Sequence, residues 1–228
     1  MYTPWLSPCI SGPEPIEGYL PCRHCNIKGS ILFFKNECYF FKTKGIPLLM
    51  NIGILALQGA VSEHKISVQN TGMNVIEVKN PIDLQNISGL IMPGGESTTL
   101  RKLLKHSKLW EAIIESDLPI MGTCAGAILI GKSQDETFGK MNIQIDRNYY
   151  GRQKESFEKE ISVVNNRKFK GVFIRAPAIT SINAETKPIA WADEDIVGCI
   201  EGKNMALTFH PELTDDLTFH KIWLEGLK

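Results

Sequence analysis

The rhythm that begins at Met50 constrains the fold more than any other feature of the sequence. "MNIGILALQGAVSEHK" opens with an apolar run at Ile52 to Leu57, turns at Gln58-Gly59 and continues with helical spacing. Apolar stretches at Asn74 to Val78, Leu90 to Met92 and Pro119 to Met121 follow, with a long helix expected from about Ser97 to Glu115 and another starting near Cys124. Short apolar strands alternating with helices are strands buried on both faces, the pattern of a parallel sheet covered by helices. The expected fold class is α/β, an open, mostly parallel sheet flanked by helices. In such sheets sites gather at the carboxyl ends of the strands. The later segments "NIQIDR", "EKEISVV", "GVFIRAP", "PIAWA", "DIVGCIEG" and "NMALTFH" are short and strand-like, and a closing helix is expected from about Asp215 to Leu227.

Residues 1 to 49 read differently. They hold Cys9, Cys22, Cys25 and Cys38 and six of the twelve prolines, in broken stretches such as "TPWLSPCISGPEPIEGYLPC" that show no periodicity. The expected organisation is an N-terminal extension over residues 1 to 49, poorly ordered or an upstream-start artefact, and a folded domain over residues 50 to 228. "CRHC", with Cys9 and Cys38 at a distance, contains four residues able to bind zinc, but only one close pair where a zinc site shows two, so an unstructured segment is the expected reading. The aromatic run "FFKNECYFF" reads as packing surface.

The 25 basic and 25 acidic residues cancel, so there is no basic field to attract nucleic acid or an anionic membrane surface. No apolar run approaches eighteen residues and the amino terminus carries no signal-type pattern, so a cytosolic protein is expected, its cysteines thiols or metal ligands rather than disulfides.

Cys124 lies in Gly122-Thr123-Cys124-Ala125-Gly126, between a strand and a helix. A buried cysteine is ordinarily core filling. G-x-C-x-G in this position is also the thiol counterpart of the nucleophile elbow: a tight turn presents the sulfur at a helix amino terminus, where the dipole favours thiolate and a first-turn amide such as that of Ala125 can receive an oxyanion. A thiol nucleophile needs a base. His64 and His106 fall within expected helices and His220 within the last one, whereas His210 closes the strand "NMALTF" in His210-Pro211-Glu212. Residues two apart in extended chain share a side, so Glu212 can hold one imidazole nitrogen while the other faces a partner, the arrangement of a triad. Pro93-Gly94-Gly95-Glu96-Ser97-Thr98-Thr99 again joins a strand to a helix. It serves as a turn with Ser97 or Thr98 as helix cap, or as a second oxyanion donor at the Gly95 amide with Glu96 and Ser97 binding an ammonium group.

These residues, together with "GILALQGAVSEH", "PGGESTTL", "GTCAG", "DRNYYGRQKESF", "GVFIRAP" and "FHPELTDD", make the chain from Met50 onward resemble the class I, triad-type glutamine amidotransferases of flavodoxin-like fold. More narrowly it is similar to the glutaminase subunits of pyridoxal 5′-phosphate synthase. The resemblance implies hydrolysis of L-glutamine, with Cys124 as nucleophile, His210 as base and Glu212 as its orienter. It implies glutamine contacts from Gly95, Glu96, Ser97, Arg147, Ile174 and Arg175, an oxyanion hole at Gly95 and Ala125, and a role for Gln58 in completing that hole when the partner docks. The implied partner is the ammonia-accepting synthase subunit in a large hetero-oligomer, with no metal or organic cofactor on this chain. Departures from the family pattern are the 49-residue extension, Ala178 where relatives often carry histidine, and a short carboxyl end. Another cysteine hydrolase on a similar scaffold, or a non-catalytic regulatory subunit, are the alternatives.

Overall fold

The computed structural model describes residues 30–34, 37–41, 50–149 and 156–228. The chain divides into two units, residues 1–48 and 49–228. In the first, β1 (Ser30–Phe34) and β2 (Glu37–Phe41) pair antiparallel, with Ile31 opposite Phe40, and most of the aromatic run lies in this ladder. The zinc reading at Cys9, Cys22 and Cys25 lies outside the described residues.

The second unit is built on a nine-stranded sheet. Its elements in chain order are β3 (Asn51–Leu55), α1 (Val61–Asn70), β4 (Asn74–Val78), β5 (Gly89–Met92), α2 (Ser97–His106), α3 (Leu109–Glu115), β6 (Ile120–Thr123), α4 (Ala125–Ile130), β7 (Ile143–Asp146), β8 (Phe157–Val163), β9 (Arg167–Phe173), β10 (Ala178–Ile182), β11 (Lys187–Ala192), β12 (Asp195–Glu201), β13 (Asn204–Leu207) and α5 (Thr218–Leu227). The strand order is β4-β3-β5-β6-β13-β12-β11-β8-β9. Pairing is parallel from β4 through β3, β5 and β6 to β13, and antiparallel from β13 through β12, β11 and β8 to β9. β7 and β10 form a separate antiparallel pair.

The central parallel strands β5 and β6 are buried on both faces because both faces are covered, whereas the edge strand β4 exposes Asn74 and Glu77. Leu90 and Met92 pack in one core layer with Leu100 and Leu104 of α2, Leu109, Trp110 and Ile113 of α3, and Ala127 of α4. Ile91, between them, points to the opposite layer with Val68 of α1 and Phe219, Trp223 and Leu224 of α5. Each such side chain, fully removed from water, stabilises the fold by roughly 1.5–3 kcal/mol.

The single helix expected from Ser97 to Glu115 is two helices. Leu100 and Leu104 face the core, and an unbroken helix would next turn Lys108 inward. Instead Lys108 takes a left-handed conformation, φ 61°, which resets the phase so that Leu109, Trp110 and Ile113 face the core and the lysine faces solvent. The cap expected at Ser97 or Thr98 is also revised. Both residues lie inside α2, Glu96 occupies the N-cap without a side-chain cap bond, and its carboxylate accepts a 2.7 Å hydrogen bond from Thr99 Oγ1. Among the described residues no helix is long and apolar enough to cross a membrane.

Candidate active site

β6 runs directly into α4, and the residue at the junction, Cys124, has φ 49° and ψ −106°, a conformation that costs a non-glycine residue free energy. The flanking glycines explain why the turn can be so tight. A Cβ on Gly122 would stand 2.6 Å from the Gly126 carbonyl carbon, and one on Gly126 only 2.0 Å from the Met92 carbonyl oxygen. Strand and helix therefore approach as closely as bare backbone permits. The turn is locked by the Cys124 amide, which donates to Leu207 O at 2.8 Å at the end of β13. Cys124 is 5% exposed, and its Sγ lies 3.8 Å from the Ile174 carbonyl oxygen.

β13 lies beside β6, so the residues that follow it emerge next to Cys124. The His210 amide donates to Val172 O of β9 at 2.8 Å, which fixes the backbone where the strand ends. His210 Nδ1 is 2.7 Å from Glu212 Oε1, and both residues are buried. Gly94 is pressed against the pair that faces it: an added Cβ would stand 2.4 Å from His210 Cε1 and 3.2 Å from Cys124 Cβ. The imidazole and the thiol side chain thus meet over one glycine. Burial alone would push the imidazolium of His210 down, but its hydrogen bonds to Cys124 and Glu212, and their charges, outweigh it and raise it to about 10. Burial would raise the Glu212 carboxyl, and the facing His64 together with the bond to His210 holds it below the usual range. Such a site can hold a thiolate beside an imidazolium, attack a carbonyl carbon and return a proton to a leaving amine.

The Gly94-Gly95 loop is shaped from the other side by the Gln58-Gly59 turn. Gln58 Nε2 donates to Glu96 O at 2.8 Å, Gly95 has φ +128°, and a Cβ on Gly59 would overlap Gly94 O at 2.0 Å. Ser97 is buried at the start of α2, while Glu96 is exposed. Ile174 and Arg175 are exposed after β9, with Arg175 at φ 44°. Arg147 is tethered: one guanidinium nitrogen, Nη1, donates to Thr98 Oγ1 at 3.0 Å and to Asp135 Oδ2 at 3.1 Å. It lines a cavity of about 330 Å³ with Ser133, Gln144 and Asn148, a cavity whose lining does not include Cys124. The structure therefore gathers Cys124, His210, Glu212, Gly95, Ala125 and Ile174 around the elbow, and links Gln58 and Arg147 to it through the loop and the first turn of α2.

Sequence reasoning set His64 and His220 aside as helix residues. Both are fully buried and lie behind Glu212. The available signal was their place on the inward stripe. α1 buries His64, Ser67 and Val68 while Ile66 is 58% exposed, and α5 buries His220 with Phe219, Trp223 and Leu224. A polar residue where the stripe calls for an apolar one marks a partner inside.

The elbow cysteine and the buried histidine–glutamate pair stand at the carboxyl ends of adjoining parallel strands, on the flavodoxin-like sheet of the class I glutamine amidotransferases. The chain belongs to the SNO glutamine amidotransferase family, whose model matches residues 54–228. It is similar to the pyridoxal 5′-phosphate synthase subunit PdxT of Desulforamulus reducens, 43% identical over 188 residues and covering 78% of this chain and all of that one. It is 47% identical over 171 residues to the subunit of the same name from Methanocaldococcus jannaschii, covering 73% and 92%. A crystal structure of a glutamine amidotransferase superposes with a TM-score of 0.72 at 36% identity, covering 77% of this chain and 98% of the other.

Proposed function

We propose that the chain is the glutaminase of a pyridoxal 5′-phosphate synthase, hydrolysing L-glutamine to L-glutamate and ammonia and passing the ammonia to a separate synthase subunit in a hetero-oligomer. The observation that carries the reading is the strained Cys124 turn facing His210, which Glu212 holds at 2.7 Å. The Cys124 thiolate attacks the amide carbon, and the developing oxyanion meets the Ala125 and Gly95 amides. His210 protonates the departing ammonia, then takes a proton from the water that cleaves the glutamyl thioester. On this reading Glu96 and Ser97 bind the substrate ammonium group, and Arg147 and Arg175 bind its carboxylate, for which a guanidinium is suited. The names of the relatives support the choice of acceptor reaction.

The test supplies glutamine to the protein mixed with a synthase subunit and compares wild type with Cys124→Ala. Ammonia release is expected to need both the partner and the thiol, with the variant still forming the complex. Equal release from wild type and variant would remove the nucleophile assignment, and release indifferent to the synthase would remove the pathway assignment.

A further inference from the structure

The buried pair behind the triad forms a chain of contacts. His220 Nε2 is 3.2 Å from His64 Nδ1, and His64 Nε2 is 3.4 Å from Glu212 Oε2 and 3.3 Å from Thr123 Oγ1. Glu212 Oε2 is sealed from solvent and makes no hydrogen bond of full geometry, and His220 Nδ1 is likewise buried and unbonded. α1, α5 and the end of β6 thus converge on the one carboxylate oxygen that His210 does not use.

Two arguments fix the protons. With His64 bare at Nε2, a lone pair would face a buried carboxylate at 3.4 Å, which is repulsive. In that arrangement His64 Nδ1–H would donate to His220, whose own proton would sit on Nδ1 as a buried donor without an acceptor, costlier than an acceptor without a donor. The reverse arrangement avoids both: His220 Nε2–H donates to His64 Nδ1, and His64 Nε2–H donates to Thr123 Oγ1 at 3.3 Å while presenting its positive end to Glu212 Oε2, 3.4 Å from the same nitrogen.

We infer that His64, with its tautomer set by His220, is a positioning residue for the Cys124–His210–Glu212 site, turning the positive end of its Nε2–H toward Glu212 so that the carboxylate stays ionised and aimed at His210. The inference rests on the catalytic reading above. The groups facing Glu212 and His64 are His210 at the end of β13, Cys124 at the elbow, His220 on α5 and Glu63 on α1. Burial holds His64 below its usual value, and burial with the neighbouring His64 takes His220 down to about 3, so both are neutral relays near neutral pH. Without the donor the buried carboxylate is less stable as an anion, so Glu212 takes up a proton at higher pH and His210 loses its anchor.

His64→Leu is expected to lower kcat about 10- to 100-fold, because the buried carboxylate loses the one N–H dipole facing its second oxygen, with KM little changed. It is also expected to move the acid limb of the pH–rate profile to higher pH. His64→Gln, which keeps an amide donor, restores most of both. A Leu variant with the wild-type rate and profile overturns the inference. So does a pair of variants equally slow with an unshifted acid limb, the signature of packing loss alone. Nitrogen-15 NMR of the wild-type imidazoles decides independently of activity or of how the variants fold. Neutral Nε2–H tautomers at both residues are expected, and a His64 proton on Nδ1 sinks the proposal. Because that spectrum needs no turnover, it separates failure of the relay from failure of the glutaminase assignment, which Cys124→Ala addresses.

Discussion

The two halves of the sheet solve different problems. In the parallel half, β5 and β6 are buried at every position, clamped between α2, α3 and α4 on one face and α1 and α5 on the other. In the antiparallel half, β8 and β9 expose most of one face. Phe169, Gly171 and Phe173 are buried, while Lys168 and Lys170 reach across to Glu160 and Glu158 in solvent. On the proposed reading the reacting groups come from the first kind of strand and the surroundings from the second. Cys124 and His210 leave the ends of β6 and β13, while β9 supplies the Val172 carbonyl that holds the His210 amide and then runs into Ile174 and Arg175. Rigidity suits a thiol and an imidazole that must meet within a fraction of an ångström, and an open edge suits groups that must receive a substrate.

Five substitutions sharpen or break that contrast. Glu212→Gln is expected to have the largest effect, lowering glutaminase kcat about 10³- to 10⁴-fold by disturbing the His210 tautomer while the fold persists. Steady-state ammonia release with unchanged circular dichroism is the check, and a loss under tenfold contradicts the assigned role. Gly126→Ala comes next: its methyl must displace the Met92 carbonyl, so denaturant unfolding is expected to show a loss of about 3 kcal/mol or more. Gly171→Ala on β9 meets only the end of the Phe173 ring at 2.8 Å and is expected to cost less than half as much. Similar losses at both sites would erase the distinction between the halves.

The buried histidines give the third prediction. His220 is held at about 3 in the folded protein against 6.5 for an unperturbed histidine, so between those values the unfolded chain binds the extra proton and stability falls as pH falls. His220→Leu is expected to flatten that slope by up to about 1.4 kcal/mol per pH unit, read from unfolding midpoints at pH 4 to 7. An unchanged slope would mean that the histidine is not buried neutral. The smallest effect is assigned to Lys170→Ala, whose partner Glu158 is equally solvated. Its midpoint and kcat are expected to match wild type, because exposed ion pairs on a two-stranded edge contribute little.

The parallel half was the more legible in sequence for the reason that makes it rigid. Strands buried on both faces must be apolar throughout, so β3, β5 and β6 were bounded to within two residues, and β4, an edge strand with Asn74 and Glu77 exposed, was bounded correctly from its branched residues Val75, Ile76 and Val78. The helix break at Lys108 was missed because the charged and apolar residues around it suit a helix everywhere, and only the position of the core decides which of them must turn inward. β10, following "RAP", was missed because a bulge between Ile179 and Ser181 breaks its period, leaving the core-packed Ile179 and Ile182 three residues apart, and its partner β7 is distant in sequence.

By itself the sequence determined the elbow and the dyad, since both are local. Two glycines around Cys124 permit one tight turn, and a spacing of two keeps Glu212 within reach of His210, although the chain there is a 3-10 turn over Pro211–Leu213 and not the extended run expected. Only the tertiary structure decided what stands behind them. His64 and His220 are 156 residues apart and come from different helices, and neither has a neighbour in sequence that announces the other. Their meeting at Glu212 follows from α1 and α5 packing on the same face of the sheet, where a buried carboxylate needs polar company that no local pattern can specify.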